Sequence, residues 1–166
     1  MSNKKLFKLL SEIEKIDTNI LTVMGGPNIT QTSENMTQFM TSCNLDFYIS
    51  YFGEHPFKSL VGSMLKHDMA IDMLFQDDDV GGLWYVDRKS KKAIQKPVMK
   101  NIVDLDEIPS PFTGGYLDEF FERDLMPMIE TNRGCPFECT FCDWGSAGLR
   151  RVTKFSVDRI KSDIKY

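Results

Sequence analysis

Three of the four cysteines of this 166-residue chain fall in one short segment, Cys135-Pro136-Phe137-Glu138-Cys139-Thr140-Phe141-Cys142, with the spacing C-x3-C-x2-C. Thiolates are the preferred protein ligands of iron–sulfur clusters. Three thiolates on one tight loop can each bind one iron of a cubane 4Fe–4S cluster, which leaves the fourth iron open to a small molecule. Electron-transfer clusters usually close every iron with four cysteines. The spacing therefore predicts that Cys135, Cys139 and Cys142 are metal ligands and that the cluster binds a substrate or cofactor.

A zinc site is the competing interpretation of the same cysteines. Structural zinc usually takes four ligands in tetrahedral geometry. A fourth ligand from His55 or His67 would come from far upstream, and Asp143 directly follows Cys142, which makes tetrahedral geometry difficult. A zinc-binding structural or interaction module without catalysis therefore stays open as the alternative. The fourth cysteine, Cys43, falls on the apolar stripe of a predicted helix and is expected to pack in the core.

The elements before the cysteine loop alternate between helices and strands. Helical spacing predicts an opening helix from Leu6 to Ile16 and a second helix capped by Ser33. A third helix follows Gly53-Glu54, with an inner face that comprises Phe57, Leu60, Val61, Met64 and Leu65. Short apolar runs predict strands from Ile20 to Met24 and from Phe47 to Tyr51. This order predicts an α/β fold with neighbouring parallel strands, as part of a doubly wound parallel sheet.

The second half of the chain is less regular. Leu83 to Val86 and Ala93-Ile94 predict a hairpin, and the prolines between Asp104 and Phe112 predict an extended linker. A helix from Leu117 to Leu125 and a strand from Met128 to Thr131 should then lead into the cysteine loop. A last helix, capped by Ser156, should turn Val157, Ile160 and Ile164 inward. The predicted domains are 1–70, a connecting hairpin and linker over 71–112, and 113–166.

The segment from Thr131 to Cys142 resembles the cluster motif of the radical S-adenosylmethionine (SAM) superfamily, C-x3-C-x-aromatic-C, with Phe141 at the aromatic position. The resemblance implies that 113–166 begins a partial β/α barrel and that the open iron binds the amino and carboxylate groups of SAM. Reductive cleavage of SAM would then give methionine and a 5′-deoxyadenosyl radical. It also implies that Phe141 binds SAM, and that flavodoxin or ferredoxin serves as electron donor. The substrate, a small molecule or peptide, and the reaction class stay undefined, and no catalytic residue is assigned.

Gly25-Gly26-Pro27 after the first strand and Gly53-Glu54 after the second resemble the last third of the cobalamin-binding domain that precedes many radical SAM barrels. The resemblance implies that Gly25 and Gly26 line a pocket for the cobalamin tail, because ligands bind at the carboxyl ends of such strands and glycine permits close approach. The Asp-x-His-x-x-Gly signature is missing, and binding of cobalamin therefore stays open. A full barrel needs roughly 250 residues, so we expect the chain to span the end of one domain and the start of another, and to be inactive alone.

Composition limits the function further. The net charge of −4 and the pI of about 5.2 argue against a nucleic-acid partner. No apolar run approaches the ~20 residues of a membrane span, and charged residues interrupt the apolar positions of the N-terminus, unlike a secretory signal. The expected location is therefore the cytoplasm, where thiols stay reduced.

Overall fold

A computed structural model describes residues 3–17, 19–26, 29–50, 52–74, 76–87, 89–97, 104–137, 139–142 and 152–166. The chain divides into two compact units, Met1–Lys100 and Asn101–Tyr166. The first unit contains a four-stranded sheet and the second a two-stranded ladder. Among the described residues, no helix has both the length and the apolar character needed to cross a membrane.

The sheet of the first unit has the strand order β1-β2-β3-β4. Strands β1 (Val23–Gly25) and β2 (Phe47–Ile49) are parallel, which confirms the predicted parallel pair. Tyr51, the predicted end of the second strand, lies outside the described residues. The predicted hairpin also forms, as β3 (Leu83–Val86) and β4 (Ala93–Lys96), but it is not a separate connection. Because β3 pairs antiparallel with β2, the hairpin extends the same sheet and makes it mixed.

Helices cover both faces of this sheet, as the α/β class predicts. Helices α1 (Asn3–Ile16) and α2 (Ser33–Ser42) pack on the face that carries Tyr48. Helices α3 (Glu54–Lys66) and α4 (Ile71–Leu74) pack on the face that carries Phe47 and Ile49. The alternation of side chains along β2 therefore supplies both cores from one strand. Cys43 lies buried in the first core, as predicted.

Two helix details differ from the predictions. The N-cap of α2 is Thr32 instead of Ser33, because Thr32 has the extended backbone of a cap and its Oγ1 accepts the Asn35 N–H at 3.2 Å. The inner face of α3 consists of Leu60, Ser63 and Met64, whereas Phe57, Val61 and Leu65 are exposed. Leu65, with 77% of its surface exposed, lies about 100° around the helix from Met64 and so points away from the sheet.

The second unit begins with the segment that the sequence analysis assigned to an extended linker. A 3₁₀ turn spans Leu105–Glu107, and the side chains of Leu105, Ser110 and Phe112 are buried. Helix α6 (Val157–Lys165) holds this segment: Arg159 Nη1 donates to the Ile108 carbonyl at 2.7 Å, and Ser110 Oγ donates to Asp163 Oδ1 at 2.6 Å. Ile108, directly before Pro109, has an extended backbone, but the 3₁₀ turn and the long-range hydrogen bonds make residues 104–112 part of the folded unit.

The other elements of this unit are short. Helix α5 is a single turn, Asp118–Phe121, and β5 is Asn132–Arg133 instead of the predicted Met128 to Thr131. Strand β5 pairs antiparallel with β6 (Thr153–Lys154), and the described residues of this unit contain no parallel pair of the kind that a β/α barrel uses.

The predicted cap of α6 is confirmed, since Ser156 Oγ accepts the Arg159 N–H at 3.1 Å. Val157 and Ile164 are exposed, contrary to the prediction. The reason is that α6 contacts residues 104–112 through its polar side chains, Arg159 and Asp163.

Candidate functional site

A cleft opens at the carboxyl ends of the parallel strands β1 and β2. Its volume is about 480 Å³, and its lining consists of Val23, Met24, Gly25, Gly26, Ile49, Gly53, Glu54 and Phe57. This volume lies within the range of small-molecule sites, about 300–1,000 Å³. The carboxyl edge of parallel strands is also where α/β proteins bind ligands. Both glycines that the sequence singled out, Gly25 and Gly26, therefore line a cleft.

The two glycines are needed for different reasons. A Cβ atom added to Gly25 would lie 3.1 Å from the Ile49 carbonyl oxygen, tighter than most Cβ contacts, so the neighbouring strand would have to move slightly. A Cβ added to Gly26 would meet nothing within 4 Å, but its φ of +119° lies in the left-handed region that favours glycine. Gly25 thus permits close approach of the neighbouring strand, and Gly26 permits the turn of the backbone at the rim.

Tyr48, which the sequence analysis did not single out, holds this rim. Its phenol donates a hydrogen bond to the Gly26 carbonyl oxygen. The ring is buried and packs edge-on against Phe39, with the ring centroids 6.1 Å apart. A tyrosine hydroxyl is already protonated at neutral pH, and burial raises the pKa of the Tyr48 phenol further.

One side chain of the cleft, Glu54, can carry a charge. This carboxylate is the only ionisable side chain among the described lining residues. It lies in the first turn of α3, where a negative charge is favourable beside the helix dipole. No basic side chain lies among the described lining residues to bind an anionic group. The cleft therefore suits an uncharged part of a ligand better than an anionic one.

The cysteine loop begins at the end of β5. Gly134 has a φ of +94°, which turns the chain into Cys135 in a conformation that favours glycine. Farther along the loop, the Cys142 N–H donates to the Cys139 carbonyl at 3.1 Å and closes a turn of four residues. The β5–β6 ladder lies at the base of the loop, and the Phe155 N–H adds a bond to the Thr131 carbonyl at 3.1 Å.

The three thiols differ in accessibility. Cys135 and Cys142 are half-buried, Cys139 is exposed, and none of the three forms a disulfide. Within the part of the chain that the structure describes, no group of three or more His, Cys, Asp or Glu side chains is arranged to hold a metal ion. The donor set still has the chemistry that an iron–sulfur cluster requires, since thiolates are its usual ligands. Cluster ligation by these cysteines thus stays a prediction.

The similarity of this chain to known proteins extends over both the β1–β2 cleft and the cysteine loop. No family model matches the chain. The chain is 27% identical over 174 residues to the cobalamin-dependent radical SAM methyltransferase TokK of Streptomyces tokunonensis, in an alignment that covers 98% of this chain and 23% of that protein. This chain is therefore similar, along nearly its whole length, to a cobalamin-dependent radical SAM methyltransferase. The relationship confirms the resemblance drawn from the glycine and cysteine motifs.

Two further relatives are also methyltransferases by name. A 2-(S-pantetheinyl)-carbapenam-3-carboxylate methyltransferase of Streptantibioticus cattleyicolor is 25% identical over 174 residues, which cover 98% of this chain and 23% of that protein. An uncharacterized methyltransferase, PH0819 of Pyrococcus horikoshii, is 31% identical over 153 residues, which cover 91% of this chain and 31% of that protein. The chain spans 23% to 31% of the length of these relatives.

Phe141 occupies the turn between Cys139 and Cys142, and 91% of its surface is exposed. The ring therefore does not pack beneath the loop. An exposed aromatic ring beside the predicted cluster ligands has the flat apolar surface that stacks on a heterocycle. Its role in binding SAM stays a prediction.

A second polar cluster has a structural role. The buried Asp77 carboxylate accepts hydrogen bonds from Ser63 Oγ at 2.6 Å and from the Asp79 N–H at 3.0 Å, and His67 Nε2 lies 3.1 Å from it. The hydrogen bond from Ser63, more than the other contacts, holds the pKa of Asp77 well below its ordinary value. Since none of these residues lines the cleft, the cluster serves to tie the end of α3 to the loop after α4.

Proposed function

We propose that this chain contributes the cofactor-binding regions of a cobalamin-dependent radical SAM methyltransferase. In this proposal Cys135, Cys139 and Cys142 hold a 4Fe–4S cluster, Phe141 contacts SAM, and the cleft at Gly25 and Gly26 receives part of cobalamin. The observation that supports it best is the single alignment with one such methyltransferase, which covers 98% of the chain and so includes both the cleft and the cysteine loop.

When bound, the cluster would supply the electron for cleavage of SAM, and cobalamin would supply a carrier for the methyl group. The turn from Cys139 to Cys142 holds two of the three cysteines at its two ends. The exposed ring of Phe141 lies between them and would orient the adenine. Three cysteine ligands would leave one iron without a protein ligand, and the amino and carboxylate groups of SAM would bind there.

The cleft would take an uncharged part of cobalamin, because its described lining contains no basic side chain to bind a phosphate. Close approach is possible because Gly25 and Gly26 present backbone instead of side chains. The cleft is too small for the whole cofactor, so the proposal places in it only the uncharged benzimidazole end of the tail and leaves the phosphate of the tail outside. The proposal also includes an external electron donor such as flavodoxin or ferredoxin, and a methyl acceptor that is a small molecule or peptide.

The test is anaerobic reconstitution of the 166-residue chain with iron and sulfide. We expect about four iron atoms per chain and an oxygen-sensitive absorbance, as a cubane cluster would give. Replacing Cys135, Cys139 or Cys142 with alanine should abolish iron binding. Cys43→Ala is the matched control, because Cys43 lies buried in the core of the first unit and should leave the iron content unchanged.

Two results would contradict the proposed cluster. Stoichiometric zinc with no iron, lost in the same three variants, would overturn the proposal in favour of a zinc-binding structural module. Iron that persists in all three single variants would show that the loop does not hold the cluster.

A further inference from the structure

We propose that Tyr48 is a positioning residue for the cofactor that binds in the β1–β2 cleft. Its phenol, by holding the Gly26 carbonyl, keeps the Gly25–Gly26 rim in the shape that receives the ligand. This inference rests on the proposed function, and it adds a residue that does not itself line the cleft.

Two consecutive residues of β2 hold the rim. On one side, Gly25 lies opposite Ile49 in the β1–β2 ladder and packs closely against its carbonyl oxygen. On the other side, the Tyr48 hydroxyl binds the carbonyl of Gly26. Gly26 lies beyond the last ladder residue of β1, so the ladder does not hold it. The Tyr48 hydrogen bond therefore restrains the residue of the rim that has the greatest backbone freedom.

The ring of Tyr48 is itself rigidly placed. Only 1% of its surface is exposed, and it packs in the core with Met36, Phe39 and Met40. A hydroxyl presented by such a ring has little freedom to follow a moving carbonyl. The core beneath α2 thus determines the direction of the Gly26 carbonyl, and through it the shape of the rim on the cleft. A binding site held in its bound shape in advance loses less conformational freedom when the ligand binds.

Ser50 provides a matched control on the same strand. It follows β2 directly, is also 1% exposed, and donates from its Oγ to Gln31 Oε1 at 2.6 Å. Ser50 does not line the cleft. Ser50→Ala and Tyr48→Phe therefore each remove one buried hydroxyl and its hydrogen bond, but only Tyr48→Phe releases the Gly26 carbonyl.

The experiment measures binding of hydroxocobalamin to the 166-residue chain by equilibrium dialysis, at a temperature where circular dichroism shows wild type and both variants to be folded. We expect Tyr48→Phe to weaken binding roughly two- to tenfold, the range for loss of one hydrogen bond. Ser50→Ala should bind as the wild type does. In the cofactor-free chain, backbone amide exchange at Gly25 and Gly26 should be faster in Tyr48→Phe than in Ser50→Ala.

The outcomes separate this inference from the proposed function. If the wild type binds and Tyr48→Phe binds equally well, the inference is overturned and the cobalamin site stands. If Ser50→Ala loses as much affinity as Tyr48→Phe, the effect is general loss of stability and the inference is again overturned. If the wild type does not bind hydroxocobalamin, the cobalamin part of the proposed function fails, and the role of Tyr48 fails with it.

Discussion

Replacing Gly26 with alanine should destabilise the first unit, although the new methyl group would meet no neighbouring atom. The reason is the backbone: its φ of +119° lies in a region that side-chain-bearing residues rarely adopt. Strain of this kind amounts to about 1–3 kcal/mol. Alanine also reduces the conformational entropy of the unfolded chain, which stabilises the folded state and offsets the strain by about 0.4–1 kcal/mol. We therefore expect the free energy of unfolding to fall by about 1–2 kcal/mol.

Gly62→Ala makes the same chemical change where the backbone permits it. Gly62 lies within α3, is exposed, and has nothing within 4 Å of an added Cβ. Alanine in a helix interior should raise stability by about 0.5–1 kcal/mol. The free energies of unfolding of the two variants should thus differ by about 1.5–3 kcal/mol, with Gly26→Ala below the wild type and Gly62→Ala above it. For a unit of this size that corresponds to melting temperatures roughly 6–24 °C apart.

The measurement is thermal unfolding followed by the fluorescence of Trp84, which is buried in the first unit. The chain has two tryptophans, so a Trp144→Phe background leaves Trp84 as the single reporter. If Gly26→Ala melts at or above the wild-type temperature, as Gly62→Ala should, then Gly26 does not need a positive φ and the account of the rim is wrong.

Two further predictions concern acid stability and SAM. The pKa of Asp77 is held well below 3.8, first by the Ser63 hydrogen bond and then by the Asp79 N–H. The stabilisation by the Asp77 carboxylate is therefore present above about pH 4 and is lost as the pH falls through the lower pKa of the folded state. In melting curves from pH 2 to 7, the Asp77→Asn variant should lose less stability on acidification than the wild type, and an equal loss in both proteins would contradict this role. In the protein that includes this chain, Phe141→Ala should leave the iron content unchanged but weaken SAM binding roughly fivefold or more. SAM binding is measured from the change that SAM causes in the electron paramagnetic resonance spectrum of the reduced cluster. Phe137→Ala, which removes another exposed ring of the same loop, is the control, and equal effects of the two variants would exclude a specific contact between Phe141 and SAM.

Features encoded by neighbouring residues could be predicted from the sequence. The spacing of Cys135, Cys139 and Cys142 places three thiols on one loop whatever the rest of the fold does. The cap at Ser156 was predictable because its bond to the Arg159 N–H joins residues three apart. The parallel pairing of β1 and β2 followed from the helix between them, since a helical crossover between adjacent strands makes them parallel. Cys43 could be placed in the core because its helical stripe is apolar.

Other features depend on residues far apart in the chain, and only the tertiary structure decided them. The hairpin is part of the first sheet because β3 pairs with the edge of β2 that β1 leaves free, and no local pattern specifies this pairing. Residues 104–112 had the composition of a linker, but hydrogen bonds from Arg159 to the Ile108 carbonyl and from Ser110 to Asp163 hold them against α6.

The cleft shows the same division. Its two glycines were visible in the sequence, because glycine after a strand indicates unusual backbone geometry. Tyr48 was not, because a tyrosine inside a strand has the same local pattern whether or not its hydroxyl reaches another segment. Its bond to Gly26 spans 22 positions in the chain. Local spacing thus determined which residues are able to do chemistry, whereas long-range packing decided which other residues hold them in place.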